Sequence, residues 1–506
     1  MKSFCRNHLR EIVFIWLLLF LTYAIRIFCP TISVDTEILV TDPSANDPGW
    51  IGRGRWALVL IGKIFRPDYF NIYAANMTAV LFFGTAVILF GYMLSGYFDR
   101  EGEQKAAMLI PAALIITSPC YAEQFGFTLQ AAEVAFSMLL MMISLFLLNR
   151  FLYEKKRGCG AASVLLLTFV FGTYQAFYPL WICLASFLYA VEIIRKDHFK
   201  ETSRNLLLIV KYAIVFITAA LMTWVIRCVL TAALRIHETS GYMDAMVGWG
   251  KFPVKECLMN IIRYAYRVAF NPDYFRFFGF AAVASAVLFV ICFVALIRRH
   301  GSYAVLPSLA LLITVSSFFL LAVATGSGQV LVRTQLALCP ALACFALLFL
   351  DLFPGRVPGI AVGVLCAVIT LIQWKNTSGL FLSDYFRYNE DIRYTAEIMN
   401  RIDEKNDSGI LRKDLKLAFV GNHEPESTAI VLKGETLGQS FYHWDVENPY
   451  ASSGRIYSFC QTQGYRFQMP SVEEYSAAQD YAERMNTFPG EDSIAFYGDL
   501  VVIRLC

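Results

Sequence analysis

Charge is what this sequence has least of. Only 16% of its 506 residues are Asp, Glu, Lys or Arg, against roughly a quarter in an ordinary soluble domain, and that shortfall excludes a water-soluble globular protein. Neither sign is in excess. The 43 Lys and Arg against 40 Asp and Glu leave a net charge of +3, so no basic surface is available for nucleic-acid phosphates, and nucleic acid is not expected as a partner. Histidine is scarce, and none of the six stands at zinc-ligand spacing. The 13 Cys include no C-x-x-C pair; Cys183, Cys292, Cys339, Cys344 and Cys366 lie singly in apolar runs and read as small hydrophobes. No P-loop, dinucleotide fingerprint or H-E-x-x-H is present.

What the chain has is apolar length. Hydrophobic residues make up 57% and aromatics 15%. Charge-poor stretches of about twenty residues, the length a helix needs to cross a bilayer, recur about eleven times. They begin near Glu11, Ile72, Ala107, Phe127, Gly160, Tyr178, Leu206, Phe277, Ala304, Arg333 and Pro358, and the last ends near Trp374. The first is too long for a signal peptide and lacks a small-residue cleavage site, so it reads as a retained helix. Lys and Arg gather before the first helix (Lys2, Arg6, Arg10) and in every second short loop (Arg100, Arg150, Arg195, Arg298, Arg356). The positive-inside rule then puts the amino terminus in the cytoplasm. The expected organisation is a transmembrane domain, 1–374, with outer loops at 30–71 and 231–276, followed by a small extracytoplasmic α/β domain, 375–506. In that tail Leu415 to Val420 reads as a strand, Val472 to Met485 as a helix opened by Ser471, and Ser493 to Ile503 as a strand pair about Gly498-Asp499. Cys460 and Cys506 could pair or stay free; sequence does not decide. Arg55 to Phe65 and the stretch from Cys257 to Ala269 have one apolar side each and fit helices lying on the membrane surface.

Polar residues concentrate at the outer ends of the helices. Asp35 and Glu37 follow the first helix, where a carboxylate suits a general base toward an attacking hydroxyl; a pair of solvated loop acids fits the position equally well. Asp42 and Asp47 read as turn residues. In Ile51-Gly52-Arg53-Gly54-Arg55-Trp56, glycine permits close backbone approach and Arg53 and Arg55 offer forked donors to a phosphate; the same residues would equally anchor a helix at the headgroup boundary. Glu123 and Gln124 lie in the outer turn that starts at Ser118-Pro119, with Gln130 and Glu133 just beyond. Glu133 falls within a span, so it faces a polar cavity or a cation, with Arg26 and Arg227 as candidate partners. Tyr174 and Gln175 sit at the same level. Arg333 is a basic residue beside a short outer connection, against the positive-inside trend, and suits an anion or a carboxylate.

At these residues the chain resembles the bacterial type II O-antigen glucosyltransferases, membrane enzymes of the GT-C architecture. The likeness lies in an ordered series: the acidic pair Asp35 and Glu37, Gly54-Arg55 before an amphipathic segment, Ser118-Pro119, Tyr174-Gln175-Ala176, Arg333 opening a late helix, and the Met485 to Pro489 step before a closing strand. The resemblance implies a polytopic α-helical, GT-C-like enzyme of the bacterial plasma membrane. Such an enzyme moves a sugar, glucose in this family, from a polyprenyl-phosphate carrier to a hydroxyl of a surface glycan on the outer face. It further implies Asp35 as base with Glu37 as second carboxylate, and Arg53, Arg55 or Arg333 on the lipid phosphate. Glu123, Gln130, Glu133, Tyr174 and Gln175 would then line the substrate site. A divalent metal stays open, and a separate donor synthase and flippase are expected partners. The chain departs from the family pattern in having Asp-Thr-Glu rather than adjacent acids, and Gln130 where an acid is expected. Two other classes remain, a lipid or glycan transporter and a non-catalytic assembly protein. A transporter would favour paired repeats with broken helices at mid-membrane, and no clear repeat is present.

Overall fold

The computed structural model describes residues 2–66, 68–98, 100–236, 246–272, 275–406 and 409–505. Most are helical, because an apolar segment in lipid has no water to satisfy its backbone and an α-helix pairs its interior N–H and C=O groups within itself. Among the described residues, seven helical stretches are long and apolar enough to cross a membrane: Leu9–Phe28, Ile72–Ser95, Thr128–Glu154, Phe177–Arg195, Thr202–Ala233, Phe277–Thr325 and Arg356–Lys405. An eighth arises if Glu101–Ile116 and Pro119–Gly126, bent by 56°, form one span. Not all of the eleven expected stretches reach that length. Arg157–Phe171 and Leu338–Leu352 have 15 residues each, about 22 Å of helix against a hydrocarbon core of about 30 Å. The Phe277–Thr325 stretch is a chain of shorter helices, among them Phe280–His300 and Val305–Ser316.

Ser118 to Gln124 departs from the expected connecting turn. Ser118 instead precedes the helix Pro119–Gly126, every residue of which is buried. Proline at the first helical position sacrifices an N–H that has no intrahelical acceptor anyway, so it starts this helix at little cost. The bundle is drawn together by close approaches. A side chain on Gly91 would place its Cβ 3.1 Å from the Met108 Cα, so glycine is what lets Ile72–Ser95 lie against Glu101–Ile116. The surface helices form where one-sided apolar patterns place them, as Trp56–Phe65 and Val254–Phe270. In the second, Cys257, Tyr264 and Val268 are buried while Leu258, Ile262 and Tyr266, one turn apart from each other, stay exposed.

The Arg356–Lys405 helix runs on through position 374, where the apolar stretch ends, and carries the chain into the tail. Three strands there, β1 (Lys416–Val420), β2 (Ile494–Tyr497) and β3 (Leu500–Arg504), form a sheet of order β1-β3-β2. β1 pairs parallel to β3 and β2 antiparallel to it. Alternation in the strands serves two cores. Leu417, Phe419, Val501 and Ile503 pack with Ile398, Ile402, Ile456 and Phe459, while Ala418, Leu500 and Val502 pack with Tyr475, Ala478 and Ala482 of the Val472–Ala482 helix. Ser471 opens that helix with a capping box to Glu474, as its spacing predicts. Cys460 is buried with a free thiol, and Cys506, its candidate partner, lies outside the described residues, as do 237–245 and 273–274 of the second outer loop.

Two features join the tail to the helical bundle. Ile32 and Val34, from the loop after the first long helix, are members of the tail's larger core. In return, residues 432–441 lie back as a strap on the bundle. The Ser383 hydroxyl accepts from Leu432 N, Asp384 from Gly438 N, and Asp391 from the Ser440 hydroxyl and Phe441 N. Under the strap is a buried chain of charges, in which Arg26 donates to Asp384 at 3.1 Å, and Arg387 to Asp384 at 2.5 Å and to Asp391 at 3.4 Å.

Candidate functional site

Burying Ile32 and Val34 in the tail core fixes the loop that carries the acidic pair. Between them, the Ser33 hydroxyl accepts from Thr128 N at 3.2 Å and pairs with the Thr36 hydroxyl at 2.7 Å. Asp35 takes a left-handed backbone conformation, φ 67°, which Asp tolerates better than most residues. Asp35 and Glu37 then converge on a single cation. The Nη1 of Arg455, on the tail helix Pro449–Thr462, lies 2.7 Å from Asp35 and 2.6 Å from Glu37, and its Nη2 lies 2.6 Å from Asp445. The two acids differ in access: the Asp35 side chain is 34% exposed and that of Glu37 not at all.

Burial pushes the Glu37 carboxyl from 4.5 up to about 8, against the pull of Arg455. The folded chain therefore binds this proton more tightly than the unfolded one, so stability falls as pH rises from about 4.5 to about 8. Glu37→Gln, which cannot ionise, is expected to flatten that fall in a melting-temperature series between pH 5 and 8. An unchanged slope would show that Glu37 does not titrate there.

A second cluster is cationic. Arg55 donates from Nε to Gln175 Oε1 at 3.0 Å and from Nη1 to Gln130 Oε1 at 3.5 Å, with its guanidinium 4.9 Å over the Tyr174 ring. Gln175 in turn donates to the Arg53 carbonyl at 2.9 Å. Arg333 is also hydrogen-bonded to the Tyr174 side chain, with its guanidinium 4.5 Å over the Phe127 ring. The structure thus brings Arg55, Gln130, Tyr174, Gln175 and Arg333 together, with the Arg53 backbone beside them. The acidic loop is tied to this cluster through Thr128, which precedes Gln130 by two residues and donates its backbone N–H to Ser33.

Other sequence candidates are occupied by partners that spacing could not reveal. The Glu123 carboxylate accepts from the backbone N–H groups of Glu435 at 3.0 Å and Thr436 at 2.9 Å and from the Thr436 hydroxyl at 2.8 Å. Gly434 passes so close that any Cβ would collide with Glu123 Oε1, so the strap needs glycine there. Glu435 itself is ion-paired to Arg333. Glu133 pairs with Arg66 at 3.4 Å rather than with Arg26 or Arg227, and Arg66 also faces Asp47 at 3.7 Å. Asp42 accepts from Ser44 N, the turn role its position suggested. Sequence reasoning missed Arg66, Glu435, Asp445 and Arg455. It missed Asp384, Arg387 and Asp391 as well, although their i, i+3, i+7 spacing on one helix face was a usable signal. Among the described residues no group of three or more His, Cys, Asp or Glu is set to hold a metal ion; around Asp35 the carboxylates surround a guanidinium.

One comparison bears on this geometry. The sequence model of the family described as Glucosyl transferase GtrII matches residues 24–350, which include the acidic loop, the Arg55 and Tyr174 cluster and Arg333. The chain belongs to that family. Membership in the GtrII family makes it a glucosyltransferase, and its long apolar helices make it a membrane one. The matched span stops before the strap and the tail, so Glu435, Asp445 and Arg455 lie outside the matched residues. No curated relative matches the chain.

Proposed function

We propose that this GtrII-family protein is a GT-C-type enzyme that moves glucose from a polyprenyl-phosphate carrier to a hydroxyl of a cell-surface glycan, at the outer face of the bacterial plasma membrane. The observation that carries the reading is the junction, through Ser33 and Thr128, of an accessible carboxylate with a paired-arginine cluster. The acceptor hydroxyl attacks the sugar's anomeric carbon as the bond from that carbon to the phosphate oxygen breaks. Asp35 takes the hydroxyl proton, and the polyprenyl phosphate leaves with the electron pair. Arg55 and Arg333 hold the charge that develops on it, a stabilisation larger in a site shielded from water. Gln130 and Gln175 aim the Arg55 fork, Tyr174 is the platform between the two arginines, and Arg53 fixes the loop through its carbonyl. Glu123 and Glu133 shape the site's edges by holding the strap and Arg66.

The same reading counts eleven membrane passages, taking Phe277–Thr325 as two, the bent pair Glu101–Ile116 and Pro119–Gly126 as one, and the 15-residue helices Arg157–Phe171 and Leu338–Leu352 as full crossings. With the amino terminus in the cytoplasm, as the Lys and Arg distribution expects, that odd number leaves the sheet-containing tail outside, with the acidic loop it packs against. A separate synthase and flippase would deliver the donor. Purified protein in lipid, given polyprenyl-phosphate-[14C]glucose or UDP-[14C]glucose with a surface glycan, is expected to consume only the lipid-linked donor. Arg55→Met and Arg333→Met should slow that consumption by about a hundredfold each, the scale of losing one charge-stabilising donor. Consumption of UDP-glucose instead would overturn the donor assignment.

A further inference from the structure

Arg455 stands outside the family-matched region and yet touches the proposed base. We propose that the tail supplies Arg455 as a positioning residue that sets the Asp35 carboxylate for proton abstraction, so that the catalytic centre is completed by the carboxy-terminal segment. The inference rests on the transferase reading above and adds a residue to it.

The geometry separates aiming from holding. Asp445 takes both the Nε and the Nη2 of Arg455 on one oxygen, at 2.9 and 2.6 Å, which fixes the guanidinium plane and leaves Nη1 directed at Asp35 and Glu37. A planar fork held along one edge presents its remaining N–H groups in a set direction, which a lysine ammonium cannot reproduce. The loop itself is held by other means: Ile32 and Val34 are buried beside Ile456 and Phe459 of the helix that carries Arg455. The loop therefore has an apolar hold on the tail that does not depend on the ion pairs. Glu37, buried beside Asp35, shares Nη1 with it, so one nitrogen held in place by Asp445 serves both acids and limits how Asp35 can rotate.

A double-variant cycle tests this. Arg455→Met is expected to lower kcat for glucosyl transfer roughly thirtyfold, the scale of misplacing a reacting group by a fraction of an ångström, while KM for the lipid-linked donor stays within about twofold. Arg455→Lys should recover part of kcat. In an Asp35→Asn background, Arg455→Met should cost less than about twofold more, because a residue acting through Asp35 has nothing left to position. Melting temperatures report folding throughout, and if Arg455→Met does not fold, Arg455→Lys alone and on Asp35→Asn carries the same comparison. Full kcat in the single variant, or losses that multiply in the double variant, would overturn the assignment. An active wild type with either of those results leaves the transferase reading standing without Arg455, whereas a wild type inert toward the donor removes both.

Discussion

Asp35→Asn is expected to lower kcat of glucosyl transfer by about 10²–10⁴, the usual worth of a positioned general base, with little change in folding. The substitution is nearly isosteric, and Asn accepts the left-handed conformation that Asp35 adopts at φ 67° at least as readily as Asp. Ile32 and Val34 keep the loop seated in the tail core, and Arg455 retains Glu37 and Asp445. What is removed is the capacity of an accessible carboxylate to take a proton. Steady-state rates with lipid-linked glucose, alongside melting temperatures, check this. Activity within twofold of wild type would mean that the proton goes elsewhere.

Arg387→Met is expected to have the largest effect on stability. Arg387 is fully buried and stands between Asp384 and Asp391, and it also donates to the Ile32 carbonyl at 3.3 Å. Removing it leaves Asp391 buried with hydroxyl and backbone donors but no cation, a loss of about 3–5 kcal/mol for breaking a buried pair. Asp384 keeps Arg26, so the loss falls mainly on the strap held by Asp391. Arg412→Met is the control: its pair with Asp403 is partly exposed at 28% and 47%, where ion pairs contribute about 0–1 kcal/mol. Melting temperature and the yield of folded protein in detergent should fall sharply for the first and hardly for the second. Equal melting temperatures would show that the buried network adds nothing to the fold.

The helical bundle was legible because bilayer thickness imposes a length on apolar runs, and lipid leaves the backbone no alternative to helix. Where a run is buried among other helices that constraint relaxes, so Leu338–Leu352 is shorter than a membrane-crossing length and Pro119–Gly126 forms a helix where a turn was expected. The helix opened by Ser471 and the turn at Gly498-Asp499 were legible because each is settled within a few residues. The cationic cluster could be read in part, since Arg55, Gln130, Gln175 and Arg333 are polar groups at the ends of apolar runs. Their partners could not. Arg455 meets Glu37 across 418 positions and Glu435 meets Arg333 across 102, and no local period records such a contact. Glu133 was correctly read as needing a partner or a cavity, yet Arg66 was not foreseen because only the fold of residues 43–66 brings it there.

The account stands or falls on where glucose comes from and on which side it is delivered. The measurement is label transfer in sealed right-side-out membrane vesicles that contain the protein and polyprenyl-phosphate-[14C]glucose, with a membrane-impermeant acceptor glycan added to the medium. The account predicts labelled glycan in intact vesicles at the rate seen after detergent opening, and almost none from vesicles carrying Asp35→Asn. Labelling that appears only after detergent opening, or that requires UDP-glucose, would contradict it.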